Sequence, residues 1–467
     1  MSKRQRPDQV YTETLLHKYE SFQNTPQCGS WTESELLELI EYFEGEYLLE
    51  QALEVCDLGL TRYPYSHEFY VQRSRILILN GQEASAMLHL DEAELVSPES
   101  VDVHLLRAEA LGALALYTEA HQLLDQLKSN YKHKALSDIF FVEAIVFEKE
   151  ENYEQMYFAL EASLEADSTN ISALDRVWPV AQHSRRHLEC MDLLERILDK
   201  NAYSYHAWHQ LGNGWSYLGQ YERALEAYDY AVVIREDFWP AWQDQADLCF
   251  ELQQYEQALQ HYRVLEKKDH NDPELEFRIA QCLFHTEQIE SAKVYLLKAI
   301  RTEPLNEEIF YYYGECMAAQ QQLHAAVKAY RKAIQIDELR EEYHAALAEC
   351  YYDLENWDLA EYHFATATDL APENVQYWLQ YATFLMETDR EELALDVLEE
   401  AEFNALGVEI TYCKIACLFL AGRRKEAFTL LQQALYEHYD LYPALFDLAP
   451  ELEKDRQVLA AIAAFQP

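Results

Sequence analysis

Residues 205–238 read YHAWHQLGNGWSYLGQYERALEAYDYAVVIREDF, and this stretch decides the fold. A small residue, Gly212, stands at its eighth place and an alanine, Ala224, at its twentieth, where two helices can approach closely. Large residues between them, such as Trp208, Trp215 and Tyr228, are placed to fill the gap. The same template recurs at a 34-residue period from Ser137, Ile171, Tyr205, Trp239, Pro273, Glu307, Glu341, Val375 and Glu409. Its eighth place then holds Ala144, Trp178, Gly212, Ala246, Ala280, Gly314, Ala348, Ala382 and Ala416. Three earlier copies start at Glu33, His67 and Val101, and a two-residue slip at Ala135 and Leu136 separates the two sets. A fixed period of this length is the signature of stacked repeats. Each unit is expected to be a pair of antiparallel helices with an apolar stripe at i, i+3, i+4 and i+7. Ala258, Leu259, Tyr262 and Leu265 show that stripe on a second helix. One pair cannot bury its own face, so neighbours must stack.

Trp208, Leu211, Gly212, Trp215, Gly219, Tyr221, Ala224, Tyr228 and Ala231 together resemble the tetratricopeptide repeat, with its W-x2-L-G-x2-Y, A-x3-F, A and P pattern. Other copies match in part: Trp242 with Ala246, Ala258 and Tyr262; Phe310 with Gly314, Ala326, Tyr330 and Ala333; His344 with Ala348, Tyr351, Trp357, Ala360, Phe364, Ala367 and Pro372. The closing proline appears as Pro64, Pro98, Pro304 and Pro372, whereas Glu236, His270 and Glu338 replace it elsewhere. The resemblance implies an all-α fold, an α–α superhelix of about twelve repeats, closed by a C-terminal capping helix.

Composition agrees with one elongated array. Eleven glycines and twelve prolines disfavour a β-rich fold, and an apolar fraction of 49% supplies a continuous core. The formal net charge of -46, from 83 acidic and 37 basic residues, makes nucleic acid and anionic membrane poor partners. It favours a basic or amphipathic protein segment, or serves solubility through self-repulsion. The N-terminal Lys3, Arg4 and Arg6 lead into polar sequence rather than an apolar stretch, so no secretory leader is expected. No apolar run reaches membrane-spanning length, and the cytoplasm is the expected location. Three of the nine cysteines, Cys282, Cys316 and Cys350, are one repeat position seen three times. Helices a repeat apart sit about 10 Å from each other, too far for a disulfide. Free thiols packed in the core are expected.

Along the chain, residues 1–32 are expected to be an N-terminal extension, partly disordered, with a short helix over residues 11–22. Thr32 and Glu35 then read as a capping box opening the first repeat. Residues 33–134 carry repeats one to three and 135–204 the irregular ones. Here Trp178 replaces the small eighth residue and Pro179 follows inside a helix, which suggests a bend or merely a less regular repeat. Residues 205–442 carry repeats six to twelve. Residues 443–467 are the cap, with a helix expected from Glu451 to about Phe465 and Leu452, Val458, Leu459, Ile462 and Phe465 covering the open end.

In the family, places 2, 5, 6, 9, 12 and 13 of each first helix line a concave face. Here the ninth place is acidic in Glu41, Glu109, Asp247, Glu315 and Glu349, with Asp244, Glu251 and Asp353 on the same lining. Phe250, Phe277, Phe284, Tyr311, Tyr312 and Tyr352 lie among them, and Arg278 is the basic exception. The resemblance thus implies an acidic, aromatic groove for a basic peptide, with charge-assisted hydrogen bonds and cation–π contacts. Residues 341–374 hold nine acidic residues and no Lys or Arg, and residues 375–408 hold eight with only Arg390. The carboxylate clamp of some family members is matched at Asn213 and Arg278 but not at His209, Asp244 and Glu274. His206 and His209 have a metal-compatible spacing, but no H-E-x-x-H, P-loop, G-x-G-x-x-G or G-x-S-x-G motif occurs. No cofactor, metal or enzymatic activity is therefore expected. A homo-oligomer joined through solenoid ends or the bend at Ile171 is the alternative to a peptide-binding scaffold, a metal-binding enzyme at His206 and His209 is the remote one, and the basic tail at Lys3, Arg4 and Arg6 is a candidate competitor for the groove.

Overall fold

The computed structural model describes residues 7–24, 31–268 and 272–466, with first-helix side chains described for residues 14–22. Its described elements are all helical, the α–α solenoid class that the period predicts. The tail at Lys3, Arg4 and Arg6, and also Cys28, lie outside the described residues. Two compact units meet in sequence between Asp244 and Gln245.

The first unit opens with α1 (Pro7–Asn24), longer than the sequence suggested. Lys18 bonds Glu35 at 2.6 Å and lies over the Trp31 ring, while Tyr19 packs on Phe43. Paired helices follow: α2 (Glu33–Gly45) with α3 (Leu49–Arg62), α4 (His67–Leu79) with α5 (Glu83–Val96), α6 (Val101–Ala113) with α7 (Tyr117–Asn130), α8 (Lys134–Lys149) with α9 (Tyr153–Ala166), α10 (Ile171–His183) with α11 (His187–Lys200), and α12 (Tyr205–Tyr217) with α13 (Tyr221–Ile234). The capping box forms as expected: Glu35 bonds the Thr32 amide and Thr32 Oγ1 accepts from the Glu35 amide. The two slipped residues, Ala135 and Leu136, lengthen α8 at its start. Helix α10 continues through Pro179. The bulk of Trp178 is accommodated by Gly214, where an added Cβ would lie 3.2 Å from the indole.

Helix α14 (Trp239–Glu251) contains the boundary between the units. The second unit continues with α15 (Tyr255–Glu266), then α16 (Pro273–His285) with α17 (Ile289–Thr302), α18 (Glu307–Ala319) with α19 (Leu323–Ile336), α20 (Glu341–Asp353) with α21 (Trp357–Leu370), α22 (Val375–Glu387) with α23 (Glu391–Asn404), and α24 (Val408–Leu420) with α25 (Arg424–Glu437). The last repeat starts one residue earlier than the sequence register, at Val408. Cys417 therefore occupies the place of Cys282, Cys316 and Cys350, and Ile415, not Ala416, takes the eighth place. The chain ends with α26 (Pro443–Leu448), a 3-10 turn (Pro450–Lys454) and α27 (Arg456–Ala464). The terminal helix begins later than expected because the Asp455 side chain accepts from the Gln457 and Val458 amides and caps it there. Leu452, Val458 and Ile462 are buried, whereas Leu459 is exposed.

Three local devices make the repeats alike. Each turn between paired helices closes with a hydrogen bond from the residue after a left-handed position back to the helix, such as Gln220 N to Trp215 O (2.9 Å) and Gln322 N to Met317 O (2.9 Å). Glycine holds that position at Gly81, Gly219 and Gly422, but Gln253, Gln321 and Glu355 adopt it too. Secondly, the fourth residue reaches back to a loop carbonyl: Trp208 Nε1 to Ala202 O (2.9 Å), Trp242 to Glu236 O (3.0 Å) and Trp378 to Pro372 O (2.7 Å). The backbone carbonyl, not the proline ring, is what this contact uses, so glutamate can stand in the proline's place. Thirdly, alanines at the twentieth place, including Ala224, Ala258, Ala292, Ala326, Ala360 and Ala394, are fully buried. The eight described cysteines are buried free thiols, and burial pushes Cys282, Cys316 and Cys350 up to about 12.

At Gly314 an added Cβ would lie 2.5 Å from the Tyr330 ring, which is itself tethered through its hydroxyl to Glu315. Gly314→Ala is expected to cost about 1–3 kcal/mol by overpacking, read as a lowered urea midpoint; an unchanged midpoint would show that the helix pair is looser than described.

Candidate functional site

The ninth place of the first helices meets a tyrosine fifteen residues later on the paired helix. Tyr228 donates to Asn213 at 2.7 Å, Tyr262 to Asp247 at 2.5 Å and Tyr330 to Glu315 at 2.6 Å. Two of the acidic residues predicted to face a ligand are thus tied to the scaffold. Burial raises the Glu315 pKa, with the Tyr330 hydrogen bond opposing it. Glu349 differs: the residue fifteen places on is Phe364, which has no hydroxyl. Glu349 instead accepts from Gln380 Nε2 on α22 at 2.9 Å and remains exposed to solvent. Its pKa is raised, first by loss of solvation within the surrounding protein and then by the charges of Glu315 and Asp353.

The remaining predicted residues fall into three settings. Asp244, in the first unit, is held by His209 Nε2 at 2.6 Å. Phe250 lies under the Arg278 guanidinium at 5.2 Å, and Arg278 also donates to Gln281; Glu251 is exposed. Phe277, buried, and Phe284 both pack edge-on against Tyr312 at 5.7 Å, while Tyr311 lies against Tyr330 and Tyr343. These rings support one another between the first helices α16, α18 and α20, joined by Tyr330 from α19. Glu349, Tyr352 and Asp353, in contrast, meet in one open cleft of about 700 Å³.

That cleft is lined by residues the sequence reading did not single out. From α22 come Gln376, Leu379, Gln380, Thr383, Phe384 and Glu387, from α24 Glu409, and from α26 Ala444, Asp447 and Leu448. Most of the α22 residues occupy the same inner-face places one repeat further on, so extending that rule would have found them. Asp447 and Leu448 belong to no repeat and carry no such signal. The Tyr352 hydroxyl hydrogen-bonds Glu387. No Lys, Arg or His is among the lining residues. Arg390, the one basic residue of 375–408, lies at 5.1 Å from the Phe384 ring and is paired with Glu361 at 2.6 Å.

The first unit is lined differently. Burial raises the Glu109 pKa in spite of Arg75, Lys149 and Arg176 around it, and Arg176 pairs with Glu148 at 2.9 Å. His206 Nδ1 meets Asp175 at 2.7 Å, whereas His209 meets Asp244, with the Phe238 ring about equally close to both imidazoles. The two histidines are thus held by separate carboxylates. Among the described residues, no group of three or more His, Cys, Asp and Glu is disposed to hold a metal.

A stack of two-helix repeats with side chains gathered along the inner places of the first helices defines an α-solenoid interaction module. A family model described as tetratricopeptide repeat matches residues 210–273, 277–340 and 345–407, and these residues are built of tetratricopeptide repeats. No curated protein matches it in sequence. Among solved structures, it is similar to YrrB, a TPR protein with an unusual peptide-binding site (19% identity, 39% of this chain and 95% of that chain, TM-score 0.34). It is also similar to the APC/C hetero-tetramer Cut9-Hcn1 (13% identity, 93% and 94%, TM-score 0.38) and to MamA (16%, 34% and 93%, TM-score 0.32). Proteins of this repeat family are generally protein-interaction scaffolds rather than enzymes. No described helix is long and apolar enough to cross a membrane.

Two tests follow from these environments. The raised pKa of Glu349 means that its charge costs the folded state at neutral pH, with stability gained as pH falls through that pKa toward the ordinary 4.5. Glu349→Gln should therefore leave the thermal midpoint at neutral pH equal or higher; a clear drop would make Glu349 a structural member rather than a ligand group. Elsewhere in α20 and α21, His344 and His363 face each other with Nδ1 atoms 3.0 Å apart. Burial, then the neighbouring His344 and Arg331, brings His363 down to about 4 from 6.5. Between those values the unfolded chain binds more protons, so stability is full above 6.5 and declines as pH falls toward 4. His363→Gln should flatten that decline by about 1–3 kcal/mol, measured from urea midpoints across the window. Equal slopes for both proteins would reject the assignment.

Proposed function

We propose that the protein is an adaptor or scaffold that binds a basic or amphipathic protein segment along the inner face of the second unit. The observation that carries this reading is the row Asp247, Glu315 and Glu349 at one repeated place, joined by Asp353, with Arg278 as the basic exception among the inner residues assigned to the site. Carboxylates gathered without matching cations attract Lys and Arg and orient them through charge-assisted hydrogen bonds. Tyr311, Tyr312 and Tyr352 are partly exposed and supply apolar area and ring faces beside those charges. The mixed signs around Glu109 make the first unit less suited to the same segment.

Reversing Asp247, Glu315 and Glu349 together to Lys should weaken binding of a fluorescent peptide of alternating Arg and Leu at least tenfold at about 150 mM salt. The remaining binding should also respond less to added salt. Unchanged anisotropy titrations would place the binding surface elsewhere.

A further inference from the structure

The groove of the second unit ends at α26. On α24 the inner-face places hold Tyr412, Cys413 and Ala416, and all three are wholly buried where α26 packs. Tyr412 is fixed further by donating to the His438 carbonyl at 2.9 Å. From this end wall Asp447 and Leu448 line the cleft that Glu349, Asp353 and Glu387 enter from the other side. The C-terminal segment therefore does more than cover the last repeat: it contributes a charge and an apolar side chain to a pocket.

We infer that this cleft receives the end of a basic, amphipathic protein segment, with an arginine or lysine head among Glu349, Asp353, Glu387 and Asp447 and an apolar side chain against Leu379 and Leu448. The inference rests on the scaffold reading above and names the anchor of that segment. Three observations agree on this occupant. The lining pairs five carboxylates with apolar side chains and includes no cation, so its charge complement is a cationic, amphipathic group. Glu349 is the acidic ninth-place residue in this unit whose paired helix offers phenylalanine, Phe364, where Asp247 and Glu315 meet a tyrosine hydroxyl. Gln380 donates its Nε2 to Glu349 and so holds the carboxylate oxygens of Glu349 in the cleft lining. A guanidinium brings five N–H donors in a planar fork, enough to serve several of these oxygens at once. A volume of about 700 Å³ holds a few residues rather than a folded domain, and the wall formed by α26 favours a chain end over a segment running through.

The test uses the full-length protein and a nine-residue peptide of alternating Arg and Leu, with a Glu–Leu peptide as its counterpart, at about 150 mM salt. The Arg–Leu peptide should bind and the Glu–Leu peptide should not. Asp447→Lys and Glu387→Lys should each weaken binding at least tenfold, while Asp396→Lys on the exposed side of α23 should leave it within about twofold. General attraction to a chain of net charge -46 would respond alike to all three. Asp447 is exposed, so its variant should fold, and circular dichroism checks this. Fusing the peptide at one end to a carrier protein should preserve binding, whereas fusion at both ends should abolish it. Equal binding by Asp447→Lys, or by the doubly fused peptide, overturns the inference; if reversal of Asp247, Glu315 and Glu349 still abolishes binding, the broader scaffold reading stands. No binding of the Arg–Leu peptide to the unaltered protein removes both. Concentration-dependent dimers in light scattering, lost in Asp447→Lys and accompanied by no peptide binding, would make a second copy the occupant and overturn the choice of partner.

Discussion

The close approach of two helices at one small residue is the constraint on which the structure depends. Gly212 and Gly314 leave room for the rings of Tyr228 and Tyr330, and the alanines at the twentieth place do the same from the other helix. A Cβ where only hydrogen fits would push a ring outward and separate the pair. Because a single pair exposes as much apolar surface as it covers, each must meet the next, and a local rule becomes a long array. The turns follow the same economy. One left-handed residue and one backbone hydrogen bond reverse the chain, and glycine eases that position without being required at every turn.

The period made most of this legible. It marked the helix pairs and identified three cysteines as one packing place. It was less informative where the chain departs from its own rule. The last repeat starts at Val408 because the shift of one residue lies in the preceding connection, and a small residue at the wrong place, Ala416, disguised it. Pro179 suggests a bend or a less regular repeat; α10 runs through it as one helix, and Gly214 on the next first helix takes up the bulk of Trp178. The final helix starts at Arg456 rather than near Glu451 because the Asp455 side chain caps it there.

The candidate site was readable only in part for a related reason. The repeat register names candidate lining places, but not which of their side chains already have partners. Tyr262 and Tyr330 stand on second helices, outside the lining positions, so their hold on Asp247 and Glu315 was invisible until the fixed separation of fifteen residues was set beside the geometry. Phe277 was similarly assigned to the lining, although its ring is covered by Tyr312. The residues of α26 could not be reached by any repeat rule, since they are not part of a repeat.

The tyrosine–carboxylate link has a wider consequence for how such an array diversifies. A hydroxyl on the second helix ties one oxygen of the facing carboxylate to the pair without removing its charge; a bare ring of nearly the same size makes no such tie. The two rings fill similar space, so the stack need not repack when one replaces the other. The surface chemistry of the array can then change one repeat at a time, in single oxygen atoms, while the architecture stays constant.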